Sequence, residues 1–149
     1  MSDNSDDKLI AWSPTFSCGI KIIDDQHKTL INLINDLYNH FTGNEEEERD
    51  FQKKVFEQME KYIKVHFATE EKILNTTKFP GYALHKVAHD DFVVNYENAI
   101  RDFESRKRFS IAVFTRFLKD WVLSHIAVMD KQYFEYFKTI ATRKTNENL

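Results

Sequence analysis

Six histidines are scattered through this 149-residue chain, and most of them fall at spacings that place side chains on one face of a helix. In the stretch HFATEEKILNTTKFPGYALHKVAH, His66 and Glu70 stand at i, i+4, and so do His85 and His89. On helices, each pair projects from a single face. Between the pairs lies Pro80-Gly81, a dipeptide that ends helices and turns the chain. The local picture is a helical hairpin that offers four donors of the kind that bind transition metals. Two further histidines sit on apolar stripes elsewhere, His27 near the start of one helical pattern and His125 near the end of another.

The rest of the chain must hold these donors in place. Only three Gly and two Pro punctuate it, which favours a few long helices over a strand-rich domain with many turns. Helix A is expected to start with Asp24 as N-cap and to carry the stripe His27, Leu30, Ile31, Ile34, Tyr38 and Phe41, with Gly43 at its C-terminal end. Helix B should begin in the acidic run EEEERD, carry Phe51, Val55, Met59, Tyr62, Ile63, His66, Glu70 and Ile73, and end near Asn75. Helix C is expected over 82–106, with stripe His85, His89, Phe92, Tyr96, Ile100 and Phe103 and a basic end. Helix D should start near Ser110, with Ile111, Phe114, Leu118, Trp121, His125 and Val128. A short C-terminal helix, KQYFEYFKTIA, follows.

These elements predict an all-α, up-down-up-down four-helix bundle. Ahead of it, WSPTFSCGIKIID reads as an extended N-terminal arm anchored by Trp12, Phe16 and Ile20. The expected organisation is a flexible tail over 1–11, the bundle over 12–142 and a frayed tail over 143–149. In antiparallel packing, at ~1.5 Å rise per residue, His27, His66, His89 and His125 all lie roughly 22–32 Å from the same end of the bundle. They therefore share one level. His40, near a helix end, is left out of the set.

Asp130 follows His125 at i, i+5, about 140° away on a regular α-helix. It reaches the core only if the helix carries a π-bulge between the two, a distortion common at functional sites. With that bulge the inward set is His27, His66, Glu70, His85, His89, His125 and Asp130. A zinc site takes about four ligands, so these donors are too many for one metal. They suit a pair of transition metals, and imidazole favours iron, copper, zinc or nickel. Left without metal, so many polar groups in an aromatic-rich core would be costly. Ferritin-like di-iron oxidases use mainly carboxylates in Glu-x-x-His pairs, and this chain has no Glu-x-x-His. Its histidine-rich donor set is less anionic, which favours reversible binding over oxygen activation.

Composition bounds the rest. A net charge of −3 gives no footprint for nucleic acid or an anionic membrane. No apolar run reaches the ~18 residues of a membrane span, and the acidic N-terminus is unlike a signal peptide. The single cysteine, Cys18, cannot form an internal disulfide and fits a reducing, cytoplasmic setting, where it reads as a packing residue of the arm.

With its pieces WSPTFSCGIKIIDDQH, HFATEE, HKVAH and WVLSHIAVMD, the chain resembles the hemerythrin family over roughly residues 12–140. The resemblance implies a non-haem di-iron centre with an oxo or hydroxo bridge. His85, His89 and His125 would hold one iron. His27 and His66 would hold the other, which keeps an open position, and Glu70 and Asp130 would bridge the two. It implies reversible dioxygen binding for carriage, storage or delivery, not enzymatic turnover, in a chain expected to be a monomer. The alternatives are a sensing module for oxygen, nitric oxide or redox state, and a role in iron handling or peroxide detoxification. Val122 and Ile126 are the expected apolar pocket walls, and Tyr133 a neighbouring polar group. Trp12 and Trp121 are expected to cap the site.

Overall fold

The computed structural model describes residues 8–40, 43–106 and 109–147. Helix α1 spans Lys21–Asn39, α2 Glu45–Thr76, α3 Tyr82–Glu104, α4 Ile111–Ser124 and α5 Asp130–Glu147. A five-residue π-helical turn, His125–Met129, joins α4 to α5. Helix α1 packs on α2 and α4, and α2 packs on α3. The α3–α4 side is closed by aromatic contacts of Phe92 with Phe117 and Trp121, and of Tyr96 with Phe114. This is the expected four-helix bundle. No described helix is long and apolar enough to cross a membrane.

The helix boundaries follow local chemistry. The Asn44 side chain accepts from the Glu47 amide at 3.1 Å, and four glutamates fill the first turn of α2, where the positive end of the helix dipole favours them. Ser110 caps α4 in the same way, accepting from the Val113 amide. The α2–α3 turn is a Schellman motif. Phe79 N–H donates to Leu74 O at 2.9 Å and Lys78 N–H to Asn75 O at 3.2 Å, while Phe79 and Leu74 pack together. Gly81 is needed there for space, since a Cβ would sit 2.7 Å from the Phe79 ring.

Several expectations are corrected. Asp24 is not the N-cap of α1; it sits in the first turn and holds the arm, accepting from Ser17 Oγ at 2.5 Å and Cys18 N at 2.9 Å. The arm includes a 3-10 turn, Pro14–Phe16, and so is not wholly extended. Ile10, placed in the expected loose tail, is buried because Asn35 of α1 bonds both its amide and its carbonyl, at 2.9 and 2.8 Å. On α1, Leu37 takes the core position expected of Tyr38, which is exposed. The C-terminal helix is not a short separate piece, because it continues α4 through the π turn and stays helical to Glu147, into the expected frayed tail. Residues 1–7 of the expected tail, Phe41 and the side chain of Val128 lie outside the described residues.

Candidate metal centre

Each helix delivers its donor from a core stripe, and the imidazoles converge through their Nε2 atoms. His27 comes from α1, His66 and Glu70 from α2, His85 and His89 from α3, and His125 and Asp130 from the two ends of the π turn. All seven are at most 2% exposed. The π turn is what admits Asp130. Its N–H donates to the His125 carbonyl, an i→i+5 bond that adds one residue to the turn and stacks the two side chains on one face.

The two carboxylates divide the histidines into two groups. Glu70 Oε2 faces His66 Nε2 at 3.1 Å and His27 Nε2 at 3.8 Å. Its other oxygen, Oε1, faces His89 at 3.5 Å and His125 at 3.7 Å, and is in close contact with His85 Nε2. Asp130 repeats the division, with Oδ2 3.1 Å from His27, and Oδ1 2.9 Å from His85 and 3.3 Å from His125. The donor atoms thus gather around two points, one shared by His85, His89, His125 and Glu70, the other by His27, His66 and Glu70.

The electrostatics fit two cations. Burial alone would raise the Glu70 pKa, but the imidazoles of His125, His27, His66 and His85 beside it outweigh that and hold the carboxylate well below its ordinary range. Burial would lower the pKa of His27 and His85, yet Asp130 and Glu70 beside them push both up to about 9. Protons on those two rings supply part of the positive charge that metals would bring. His89, where burial dominates, is shifted down. His89 Nε2 and His125 Nε2 face each other at 3.0 Å, a pair in which at most one nitrogen can donate. His27 Nε2, His66 Nε2, Glu70 Oε2 and both Asp130 oxygens meet one another only as ion-pair contacts, with no aligned hydrogen bond. Buried polar atoms left so typically cost about 1–3 kcal/mol each. A cation at each point would satisfy them together.

A model of the hemerythrin HHE cation binding domain matches residues 18–137. The chain belongs to the hemerythrin family. Among hemerythrin relatives, it is 30% identical to a bacteriohemerythrin of Methylococcus capsulatus over 127 residues, covering 84% of this chain and 94% of the relative. It is 27% identical to a hemerythrin of Themiste dyscrita, covering 82% and 88%. A solved wild-type hemerythrin superposes with a TM-score of 0.75 at 29% identity, covering 85% of this chain and 96% of the other.

All seven expected donors meet at one level. His40 does not join them; its ring stacks on Phe51 at 3.6 Å. Val122 and Ile126 are buried in the core cluster that contains Phe67. Tyr133 is fully buried with its ring 5.7 Å from that of His85, and its hydroxyl has no partner. Trp121 does cover the site, stacked on His125 at 4.4 Å. Trp12 does not; it packs on Phe16 and carries Lys28 over its ring. Sequence reasoning missed Phe67, stacked flat on His89 at 3.8 Å, and Gln26, whose Oε1 lies 2.7 Å from His66 Nδ1. Gln26 directly precedes His27, but nothing in its spacing marks the bond to a histidine 40 residues away.

Proposed function

We propose that this chain binds dioxygen reversibly at a pair of non-haem irons, for carriage, storage or delivery. His85, His89 and His125 would hold one iron, His27 and His66 the other, and Glu70 and Asp130 would be shared between them. The observation that carries the reading is the division of each carboxylate's two oxygens between a three-histidine and a two-histidine group. With fewer protein donors, the two-histidine group would leave room at its metal for a small ligand. When bound, the iron pair would supply the electrons that dioxygen binding requires.

The residues do the remainder. Near-complete burial of all seven donors keeps water and bulky reductants away. Phe67 and Trp121 cover His89 and His125 with apolar surface, and buried Val122 and Ile126 belong to the same core cluster. Gln26 holds His66 by its outer nitrogen, so that Nε2 points to the metal.

The test is anaerobic reduction, then oxygen addition with optical monitoring and iron analysis. The expected result is two irons per chain and a visible band that appears with oxygen and reverses on its removal. One zinc per chain, or no oxygen-dependent spectrum, overturns the proposal. Rapid irreversible oxidation with turnover of peroxide would favour the detoxification alternative. In the same assay Glu70→Ala loses most of the iron, because it removes a donor from both groups, while His40→Ala keeps it.

A further inference from the structure

A metal-bound histidine needs an acceptor for its other N–H, and the five histidines are unequally provided. His66 Nδ1 has the neutral amide of Gln26. His27, His89 and His125 have no hydrogen bond at Nδ1. Opposite His89 Nδ1, however, stands a carboxylate oxygen, Glu71 Oε1, at 3.8 Å. Both atoms are buried, and at this distance no hydrogen bond joins them. Glu71 Oε1 also lies 3.1 Å from Lys86 Nζ, and Lys86 Nζ lies 2.7 Å from Asp90 Oδ1. Lys86 is half exposed, so this chain of charges runs from the surface of α3 to the back of one imidazole.

We infer that Glu71 is a positioning residue for His89, accepting its Nδ1–H when a metal occupies Nε2, and that Lys86 opposes it by drawing the same carboxylate toward the surface. The inference rests on the metal-binding reading above. Binding at Nε2 fixes the remaining ring proton on Nδ1, and Glu71 is the carboxylate placed to take it. A sub-ångström shift of the glutamate closes the gap to hydrogen-bond length. An anionic acceptor makes the imidazole a stronger donor and stabilises the more oxidised metal. The effect falls on the three-histidine metal alone, because the two-histidine group has only the neutral Gln26. Lys86 withholds part of that charge, so a surface lysine tunes a buried site without touching it.

Opposite signs test this. In the iron-loaded protein, Glu71→Gln keeps a hydrogen-bond acceptor but removes the charge, and it should raise the midpoint potential of the metal pair. Lys86→Gln frees Glu71 for His89 and should lower it. The double variant should match Glu71→Gln, since an exposed lysine acting directly would be largely screened by salt. In chelator competition, Glu71→Ala should weaken iron binding ~10–100-fold, and Glu71→Gln should recover most of that loss. An unshifted potential in Glu71→Gln, or a shift of the same sign in both single variants, overturns the inference. If the wild-type chain takes up no iron, the metal reading falls and this one with it. If it binds two irons and the variants do not differ from it, only this inference falls.

Discussion

The two halves of the donor set are held by different means. On the three-histidine side the rings brace one another, with centroids 4.9 Å apart for His85–His89, 4.6 Å for His85–His125 and 4.8 Å for His89–His125. Aromatic plates close two of them, Phe67 on His89 and Trp121 on His125. On the two-histidine side, His27 and His66 come from different helices and meet edge to face at 4.6 Å. Their one outer hydrogen bond is the contact from Gln26 to His66. Packed interiors resist rearrangement because every displaced ring must find new partners. The braced half is suited to holding a metal in fixed geometry, and the sparser half to accepting a changing ligand.

Removing one histidine from each half should separate them. His27→Ala leaves a single protein histidine at the two-histidine point, and it should reduce iron to about one per chain and abolish the oxygen-dependent band. His125→Ala leaves two histidines and both carboxylates at its point, and it should retain more iron. Iron counts and optical titration of the two purified variants decide this. Equal loss of both metals in His27→Ala would show that the halves load as a unit and would break the comparison.

Protons offer a gentler probe, because one histidine in each half is shifted the same way. In the metal-free chain, His27 and His85 are raised from 6.5 to about 9 by the carboxylates beside them. The folded state therefore binds more protons than the unfolded chain between these values. This stabilisation is complete below about pH 6.5 and is lost as pH rises through about 9. Glu70, whose pKa is depressed from 4.5, is ionised in both states across that window and adds no slope. The urea midpoint of metal-free protein should fall from pH 6.5 to 9.5, and that of iron-loaded protein should stay flat over the same range. His27→Gln and His85→Gln should each remove part of the slope. An unchanged slope in one of them would assign the effect to the other half.

How much of this could be read from the chain depends on the range of the interaction. The helices and their ligand faces were legible because a stripe such as His85, His89, Phe92, Tyr96 and Phe103 repeats at helical spacing, and burial follows it. The π turn was legible for a less common reason. His125 and Asp130 are chemically matched to the other donors but wrongly spaced for an α-helix, and only a local insertion reconciles them. Asp24 was misread because a first-turn acid and an N-cap look alike in sequence; what distinguishes them is the arm's Ser17 and Cys18 folding back onto it. Tyr38 and Leu37 differ by one position, about 100° on a helix, and packing against α2 and α4 selects leucine. Nothing in the spacing marks Glu71, whose inward oxygen depends on where α3 places His89 and Lys86.

The smallest effect should come from the one outer hydrogen bond of the two-histidine half. Gln26 Oε1 accepts from His66 Nδ1, fixing the tautomer that leaves Nε2 free for metal. Gln26→Ala removes the acceptor without touching a ligand. Gln26 is nearly buried, so the variant also leaves a small gap beside His66. Iron should still load at two per chain, with the two-histidine metal lost to chelator ~10-fold more readily, the low end of what such outer partners contribute. Gln26→Glu keeps the acceptor and adds charge, so it should hold that metal at least as tightly as the wild type. If chelator instead strips the three-histidine metal first from Gln26→Ala, bracing by aromatic plates is not what retains a metal here, and the contrast between the halves reduces to ligand number.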